Sequence, residues 1–196
     1  MRFLRLDRRR WTAALALAAL CCGPAWAFGV DDLMKLLAQQ KKGEARFTEQ
    51  RYVRGVDGPL LSAGVLSFEA PDKLVRRTTS PRPESMAVDG NQLVLQRGGR
   101  TRTTTLDSMP EVMGMIEAMR GTLMGNAPQL QRYFRPKLAG DEKSWALDLD
   151  PIDRALASQV RSLRITGRGG EVLGVEMEFV GGDRSVMDIV PGRATP

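Results

Sequence analysis

Five carboxylates are the side chains whose types and spacing could support catalysis or metal binding. Asp148, Asp150 and Asp153 form an acidic group that could be imagined as a calcium site. The group lacks the glycine and the distal glutamate of a calcium-binding loop, so a solvated strand face with a helix cap explains it better. Glu49 and Glu69 could serve as a general acid and base, but outward-facing polar positions on strands are the favoured interpretation.

The residue types on which most catalytic sites are built are scarce. The chain has no histidine, and its two cysteines, Cys21 and Cys22, fall within the first 27 residues. This composition excludes catalysis by histidine-based dyads and triads, and the usual zinc ligand sets. A nucleophile elbow and a phosphate-binding glycine loop are also missing from the sequence. We therefore predict that the protein is not an enzyme and binds no cofactor or metal. A hydrolase that uses carboxylates alone is the remaining catalytic alternative.

Methionine is the unusual feature of the sequence. A segment predicted to be helical, 109–124, carries Met109, Met113, Met115, Met119 and Met124. Methionine side chains are flexible and polarizable, so they adapt to apolar partners of varied shape. Two interpretations stay open: an ordinary stripe of core residues, or the wall of a cavity for a flexible apolar ligand.

The first 27 residues have the three parts of a secretory signal peptide. Five arginines precede a short apolar run, 11–20, and Ala25-Trp26-Ala27 is a small-x-small cleavage site. The run is shorter than the roughly 20 residues that span a bilayer. We predict export to the periplasm by a cleavable signal, with residues 28–196 as a single mature domain. A membrane anchor, lipidation at Cys21 or Cys22, and the twin-arginine route are alternatives.

The positive charge of the chain belongs mainly to this predicted signal. The whole sequence has 29 Lys and Arg against 23 Asp and Glu. Its first 27 residues hold five arginines and one aspartate, which leaves 24 against 22 for the mature domain. Basic residues are spread along the chain and aromatic residues are few, so we expect no nucleic-acid partner.

Three helices are needed to position these residues. Asp31 or Asp32 is expected to cap a first helix that runs to about Lys42, where Gly43 ends it. The methionine-rich helix covers 109–124, and the pattern Ser108 to Glu111 predicts a capping box at its start. A short helix over 127–134 follows, and 151–158 is expected to form a helical turn.

Strands make up most of the remaining sequence. Period-two alternation and turn signals predict strands over 47–53, 60–69, 73–79, 85–88, 93–96, 101–106, 137–139, 144–149, 160–166, 171–180 and 184–190. An antiparallel sheet of this size has to curl, with one face inside. The fold class is therefore mainly β with α: a curled antiparallel sheet covered by helices that are apolar on one side.

Several short motifs occur in an order that resembles the periplasmic outer-membrane lipoprotein carriers, the LolA-like family. They follow the first predicted helix and are Phe47-Thr48-Glu49-Gln50, Gly64-Val65-Leu66-Ser67-Phe68, Pro71-Asp72-Lys73-Leu74, Pro81 and Asp89-Gly90-Asn91-Gln92-Leu93. The ordered set covers the first half of the mature chain, and the second half matches in layout. Each motif alone is weak, so the resemblance depends on their order and spacing.

The resemblance implies an incomplete antiparallel barrel, with an N-terminal helix and a central helical lid, that holds lipoprotein acyl chains during transit. It also implies an inner-membrane releasing transporter and an outer-membrane acceptor as partners. The carriers have an arginine before the strand-end proline that hydrogen-bonds the lid helices, and this position is Ala70 here. Leu74 and Arg76 stand at aromatic positions of the family. The sequence therefore resembles a divergent member whose lid latch is absent or different.

We predict that the protein is a soluble monomeric carrier that binds the acyl chains of lipoproteins, or a related lipid. An envelope assembly or binding module for a hydrophobic metabolite or a protein partner, without lipoprotein transport, is the alternative. The residues predicted to line the hydrophobic cavity are Phe47, Leu66, Phe68, Leu93, Met113, Ile116, Met119 and Trp145.

Overall fold

A computed structural model of the protein describes residues 28–192. These residues form the helices α1 (Val30–Leu37), α2 (Pro110–Leu123), α3 (Ala127–Tyr133) and α4 (Arg154–Ala157). They also form eleven strands: β1 (Lys42–Tyr52), β2 (Leu60–Glu69), β3 (Lys73–Ser80), β4 (Glu84–Asp89), β5 (Gln92–Arg97), β6 (Arg100–Thr105), β7 (Phe134–Asp141), β8 (Ser144–Pro151), β9 (Val160–Arg168), β10 (Glu171–Phe179) and β11 (Arg184–Pro191). The predicted signal peptide and the cleavage site lie outside the described residues.

All eleven strands belong to one antiparallel sheet in the order β6-β5-β4-β3-β2-β1-β11-β10-β9-β8-β7. Each half of the sheet is a meander, and the two meanders are joined where β1 pairs with β11, from Ala45 opposite Pro191 to Tyr52 opposite Arg184. This confirms the predicted mainly β fold with one large antiparallel sheet, which is not closed into a barrel.

The open edges of the sheet are β6 and β7, and the helical segment α2–α3 runs between them in the chain. β6 is short and largely exposed, with Arg100 and Arg102 among its residues, and β7 contains Pro136. Charged residues and proline are common on edge strands because they discourage pairing with another chain. The charged residues and the proline therefore protect the two open edges. The segment between these edges, with α2 and α3, covers the sheet.

The interior is divided into two apolar clusters. The larger one, which we call the filled cluster, joins α1, α3, α4 and the buried Ala118 of α2 to strands β7–β9. Its buried side chains include Leu33 and Leu37 of α1, Leu147 of β8 and Ile165 of β9, each no more than 4% exposed. The alternation of buried and exposed residues along β8 and β9 produces this one-sided apolar face.

Glycines allow the helices to pack closely in this region. A Cβ at Gly114 of α2 would lie 3.3 Å from the side chain of Leu156, and one at Gly121 would lie 3.0 Å from the backbone of Leu130. Gly125, just after α2, has a φ of 62°, and a Cβ there would overlap the Met34 carbonyl oxygen of α1. The close approach of α1, α3 and α4 to α2 therefore depends on small residues.

One predicted helix boundary and one predicted helix cap are wrong. The first helix ends at Leu37 and not near Lys42, because the chain turns and enters β1 at Lys42, so Gly43 belongs to a strand. The predicted capping box of α2 does not form: Met109 is the N-cap residue, with no side-chain cap, and the Ser108 hydroxyl donates to the Thr105 carbonyl. Pro110 instead starts the helix, where its missing N–H needs no partner.

None of the helices within residues 28–192 is both long and apolar enough to cross a membrane.

Candidate ligand-binding site

The second apolar cluster, which we call the methionine cluster, lies between α2 and strands β2–β5. Leu74, Val88 and Leu93 of the sheet are buried in it together with Leu106 and Ile116. Many other side chains pack against it while staying partly exposed, namely Phe68, Met86, Leu95, Met109, Val112, Met113, Met119 and Leu123. This part of the interior is therefore apolar, rich in flexible side chains and only half closed.

The eight residues predicted to line a cavity do not all meet. Five of them belong to the methionine cluster: Phe68, Leu93, Met113, Ile116 and Met119. Trp145 belongs to the filled cluster, where its indole nitrogen donates to the Gly169 carbonyl at 2.9 Å. Phe47 and Leu66 lie on the same sheet face, on β1 and β2. Lining of a ligand cavity by these residues stays a prediction.

Two depressions on the surface of the described residues lie elsewhere. One is at the β7–β8 and β9–β10 turns, around Lys143 and Gly169. The other lies between the start of β1 and the end of β11, around Arg46 and Pro191. Neither borders the methionine cluster, in which the side chains of α2 pack on those of the sheet. A ligand entering this space would have to move α2 or its side chains.

Arg120 of α2 ties the helix to the sheet. Its Nη2 donates at 2.6 Å to the carbonyl of Asp72, in the β2–β3 turn, and at 2.6 Å to the carbonyl of Gly90, in the β4–β5 turn. The side chain is only 6% exposed, and its Nε has no hydrogen-bond partner among the described residues. A tie between the helix and the sheet is therefore present, and it comes from Arg120 of the helix.

A carboxylate holds the Arg120 guanidinium in place. Glu117, one turn earlier on α2, accepts a hydrogen bond from Arg120 Nη1 at 2.9 Å and a second from the Gln129 side chain of α3. Asn126 caps α3 by accepting from the Gln129 backbone N–H at 3.1 Å. The tie thus joins α2, α3 and two turns of the sheet into one hydrogen-bonded unit.

A polar group lies on the inner face of the sheet, beside these apolar side chains. Glu49 Oε2 accepts from Arg76 Nη2 at 2.5 Å and from the Ser62 hydroxyl at 3.0 Å, and its Oε1 accepts from Ser185 at 2.6 Å. The Arg76 guanidinium also stacks over the Phe47 ring, 4.6 Å from its centroid. The interpretation of Glu49 as an outward-facing residue is therefore wrong, because it shares its face with Phe47.

The surroundings of Glu49 favour its charged form. Partial burial acts to raise the pKa of this carboxyl, but the hydrogen bonds from Arg76 and Ser185 outweigh burial and hold the pKa below its ordinary value. The side chain is 13% exposed, so its charge is compensated by neighbouring groups more than by water. Glu49 is thus a fixed acceptor within the sheet.

The remaining carboxylates have structural partners. Asp148 accepts both Nε and Nη2 of Arg164, and Asp150 accepts from Lys137 at 2.7 Å. Asp153 caps α4 by accepting from the Leu156 N–H, which confirms the predicted strand face and helix cap. Glu69 lies opposite Lys42 at the far end of β2 from Ser62, the neighbour of Glu49, so the two glutamates do not converge.

Sequence reasoning missed both Arg120 and the Glu49–Arg76 pair. The sequence nevertheless contains an indication of each of them. Arg120 stands four residues after Ile116 and three before Leu123, on the apolar face of a predicted helix, where a charge needs a buried partner. Glu49 follows Phe47 by two residues, which places both on one face of a strand.

The fold and the site define a class: half-open β structures whose helical cover lies on an adaptable apolar face. Within that class, the chain belongs to the family described as outer membrane lipoprotein carrier protein LolA-like, whose model matches residues 22–195. The family is one of carriers and not of enzymes. This confirms the family resemblance that the sequence motifs indicated.

Individual relatives are distant. The outer-membrane lipoprotein carrier protein of Methylibium petroleiphilum is 28% identical over 184 residues, covering 92% of this chain and 84% of that protein. A LolA superfamily protein from Nitrosomonas europaea is 12% identical, with a TM-score of 0.45 over 85% of this chain and 94% of that one. LprF from Mycobacterium bovis is 10% identical, with a TM-score of 0.34 over 85% of this chain and 94% of LprF.

Proposed function

We propose that this protein is a periplasmic carrier that binds the acyl chains of lipoproteins, or of a related lipid, and carries them toward the outer membrane. The observation that supports it most directly is the methionine cluster, since its partly exposed, flexible side chains lie under a helix in a chain of the lipoprotein carrier family. The N-terminal signal predicted from residues 1–27 would place the protein in the periplasm.

Apolar burial provides enough free energy for such binding. Each CH2 group removed from water contributes about 0.8 kcal/mol, so one long chain contributes on the order of 10 kcal/mol before ordering costs. A carrier also has to release its cargo. Methionine side chains suit this requirement because they repack around different chains without a single rigid fit.

In this proposal, a chain enters when α2 moves away from the sheet. Arg120 opposes this movement through its bonds to the Asp72 and Gly90 carbonyls, while its Nε–H, which has no partner within residues 28–192, reduces the net stabilisation of the closed state. We therefore assign Arg120 the role of a latch between α2 and the sheet. An inner-membrane transporter would open the latch while loading cargo, and an outer-membrane acceptor would receive that cargo.

The binding proposal is tested by purifying the mature protein from its own envelope and identifying co-purified lipid by mass spectrometry. We expect acylated molecules in stoichiometric amounts. A protein that is reproducibly empty and also fails to bind fluorescent acyl probes would contradict the proposal.

A charge placed in the methionine cluster distinguishes a binding wall from a filled core. We expect Met119→Glu to remain folded by circular dichroism and to weaken acyl-probe binding at least about 10-fold, because an unpaired charge in an apolar site is costly. Met177→Glu is the matched control, since Met177 is a partly buried methionine that packs against the filled cluster. Unfolding of the Met119 variant would instead indicate a core without a binding role.

The alternative is an envelope assembly module that binds a hydrophobic metabolite or a protein, without lipoprotein transport. The open edge strands β6 and β7 favour it, because an unpaired edge can accept a strand from a partner. Substituting proline at Thr103 on β6 would abolish partner capture under this alternative. Acyl binding would be unaffected by the same change.

A further inference from the structure

We propose that the Glu49–Arg76 pair binds the polar end of the acyl ligand, with Arg76 donating hydrogen bonds to a neutral ester or amide carbonyl. This inference rests on the proposed carrier function, because it concerns the head of the ligand whose chain lies in the methionine cluster. It assigns a chemical class to that head: an uncharged acyl carbonyl, and not a free carboxylate.

The position of Arg76 on the sheet is the first argument. Cross-strand pairing places Arg76 of β3 between Leu66 of β2 and Met86 of β4. Met86 packs against the methionine cluster, so Arg76 stands beside that cluster on the sheet, and its guanidinium reaches from there across β2 to Glu49 and Phe47 of β1. A chain lying in that space would bring its polar end to Arg76 without leaving the inner face of the sheet.

The second argument is that the guanidinium is already oriented. Its plane stacks over Phe47, and the Phe47 ring lies against the backbone at Gly64, where a Cβ would be 2.9 Å from ring atom Cε1. Nη2 of Arg76 donates a hydrogen bond to Glu49 Oε2 at 2.5 Å, and hydrogen bonds from the Ser62 and Ser185 hydroxyls hold the Glu49 carboxylate in place. Binding therefore requires little ordering of this side chain, which favours affinity.

The hydrogen-bonding capacity of the group is the third argument. Glu49 accepts three hydrogen bonds, whereas the guanidinium, with five N–H groups, donates only the one bond to Glu49 among the described residues. Arg76 is 28% exposed, which leaves donors open toward a ligand. The Arg76–Glu49 pair has zero net charge. A neutral carbonyl thus gains a charge-assisted bond, and a carboxylate would also face the negative charge of Glu49.

The test compares ligands that differ only in the carbonyl. Dioctanoylglycerol is ester-linked, and dioctylglycerol is its ether-linked counterpart without carbonyl groups. Both compete with a fluorescent acyl probe for the mature protein, and octanoic acid supplies the carboxylate. We expect the wild type to bind the ester about 10-fold more tightly than the ether, as a hydrogen bond to a charged donor would produce. Octanoate is expected to bind more weakly than methyl octanoate.

Variants assign the preference to Arg76. Arg76→Met would leave Glu49 without its partner, so the double variant Arg76→Met with Glu49→Gln keeps the site neutral and foldable. We expect it to bind ester and ether equally. Arg77→Met is the matched control, because Arg77 is the next residue of β3, faces the other side and is exposed. It is expected to keep the wild-type preference.

Three outcomes would contradict the inference that the Glu49–Arg76 pair binds an acyl carbonyl. Equal binding of ester and ether by the wild type, or a preference for octanoate over its methyl ester, would overturn this inference and leave acyl binding intact. An unchanged ester preference in the double variant would overturn it as well. If the wild type binds none of these ligands, the proposed function itself fails, and the inference fails with it.

Discussion

The two ends of the sheet are covered in different ways. At the β7–β9 end, α1, α3 and α4 meet leucines, isoleucine and tryptophan whose side chains are almost completely buried. At the β2–β5 end, α2 alone covers the sheet, and most of the surrounding apolar side chains keep some exposure. Leucine, isoleucine and valine make up most of the first interior, which also holds Met34, Phe134 and Trp145, and methionines are concentrated at the second.

This difference suggests a division of roles, in which the filled cluster stabilises the fold and the methionine cluster forms the proposed binding surface. Tightly packed branched side chains specify a single arrangement and lose much stability when one is shortened. Methionine-rich packing tolerates rearrangement, so it suits a site that is emptied and refilled. We interpret the filled cluster as the support that keeps the sheet curled while the methionine cluster changes its contents. Four variants test this division.

The largest effect is expected in the filled cluster. Leu147→Ala removes a fully buried side chain from the middle of β8 and should lower the free energy of unfolding by about 3 kcal/mol, since a cavity remains. Urea denaturation measures the change, and acyl-probe affinity should stay the same in the folded protein. A loss below about 1 kcal/mol would show that this cluster is not the main source of stability.

Glu49 of the central strand β1 is expected to give the next largest effect, and one that depends on pH. Its pKa is held below the ordinary 4.5, so its stabilising contribution is complete above about pH 4.5 and is lost as the pH falls through the lower folded value. Glu49→Gln should therefore lower the unfolding free energy by about 2 kcal/mol at pH 7 and by less near pH 3.

Urea unfolding of wild type and variant across this pH range checks the Glu49 prediction. Glu69→Gln is the control, since Glu69 is exposed at the end of β2. A difference between wild type and the Glu49 variant that is the same at both pH values would contradict it.

A smaller global effect, of about 1 kcal/mol, is expected from Arg120→Met. The same loss should appear in α2, where amide hydrogen exchange should accelerate about 5-fold because the helix opens from the sheet more often. Amides of β8 and β9 that exchange through local fluctuations should be unaffected. Arg132→Met, at an exposed position of α3, is the control. Unaltered exchange in α2 would remove the latch role from Arg120.

The smallest change in stability is expected within the methionine cluster. Met113→Leu together with Met119→Leu conserves volume, so the unfolding free energy should change by less than about 1.5 kcal/mol. Binding should become more selective, because leucine adapts less than methionine to bent or branched chains. Competition assays with straight and unsaturated acyl chains measure this selectivity. An unchanged range of ligands would indicate that the methionines are ordinary core residues.

Local patterns predicted the elements of this fold well, and long-range partners poorly. The period-two pattern gave β2 with the bounds Leu60–Glu69, and the apolar stripe gave α2 to within a residue at each end. The tie of Arg120, in contrast, reaches carbonyls 48 and 30 residues away, and no local spacing specifies which turns those are. Glu49 was predicted to face outward because glutamate is polar. Its position two residues after Phe47 places it instead on the inner face of the sheet.

The path of the chain at the open edges has a kinetic consequence. Helix α2 is covalently connected to β6 at one end and, through α3, to β7 at the other, so the proposed movement of α2 away from the sheet would be that of a flap held on both sides. Return of the flap is a unimolecular step with a high effective concentration, and its rate is independent of protein concentration. Under the proposed carrier function, the time for cargo exchange would therefore be set within one molecule.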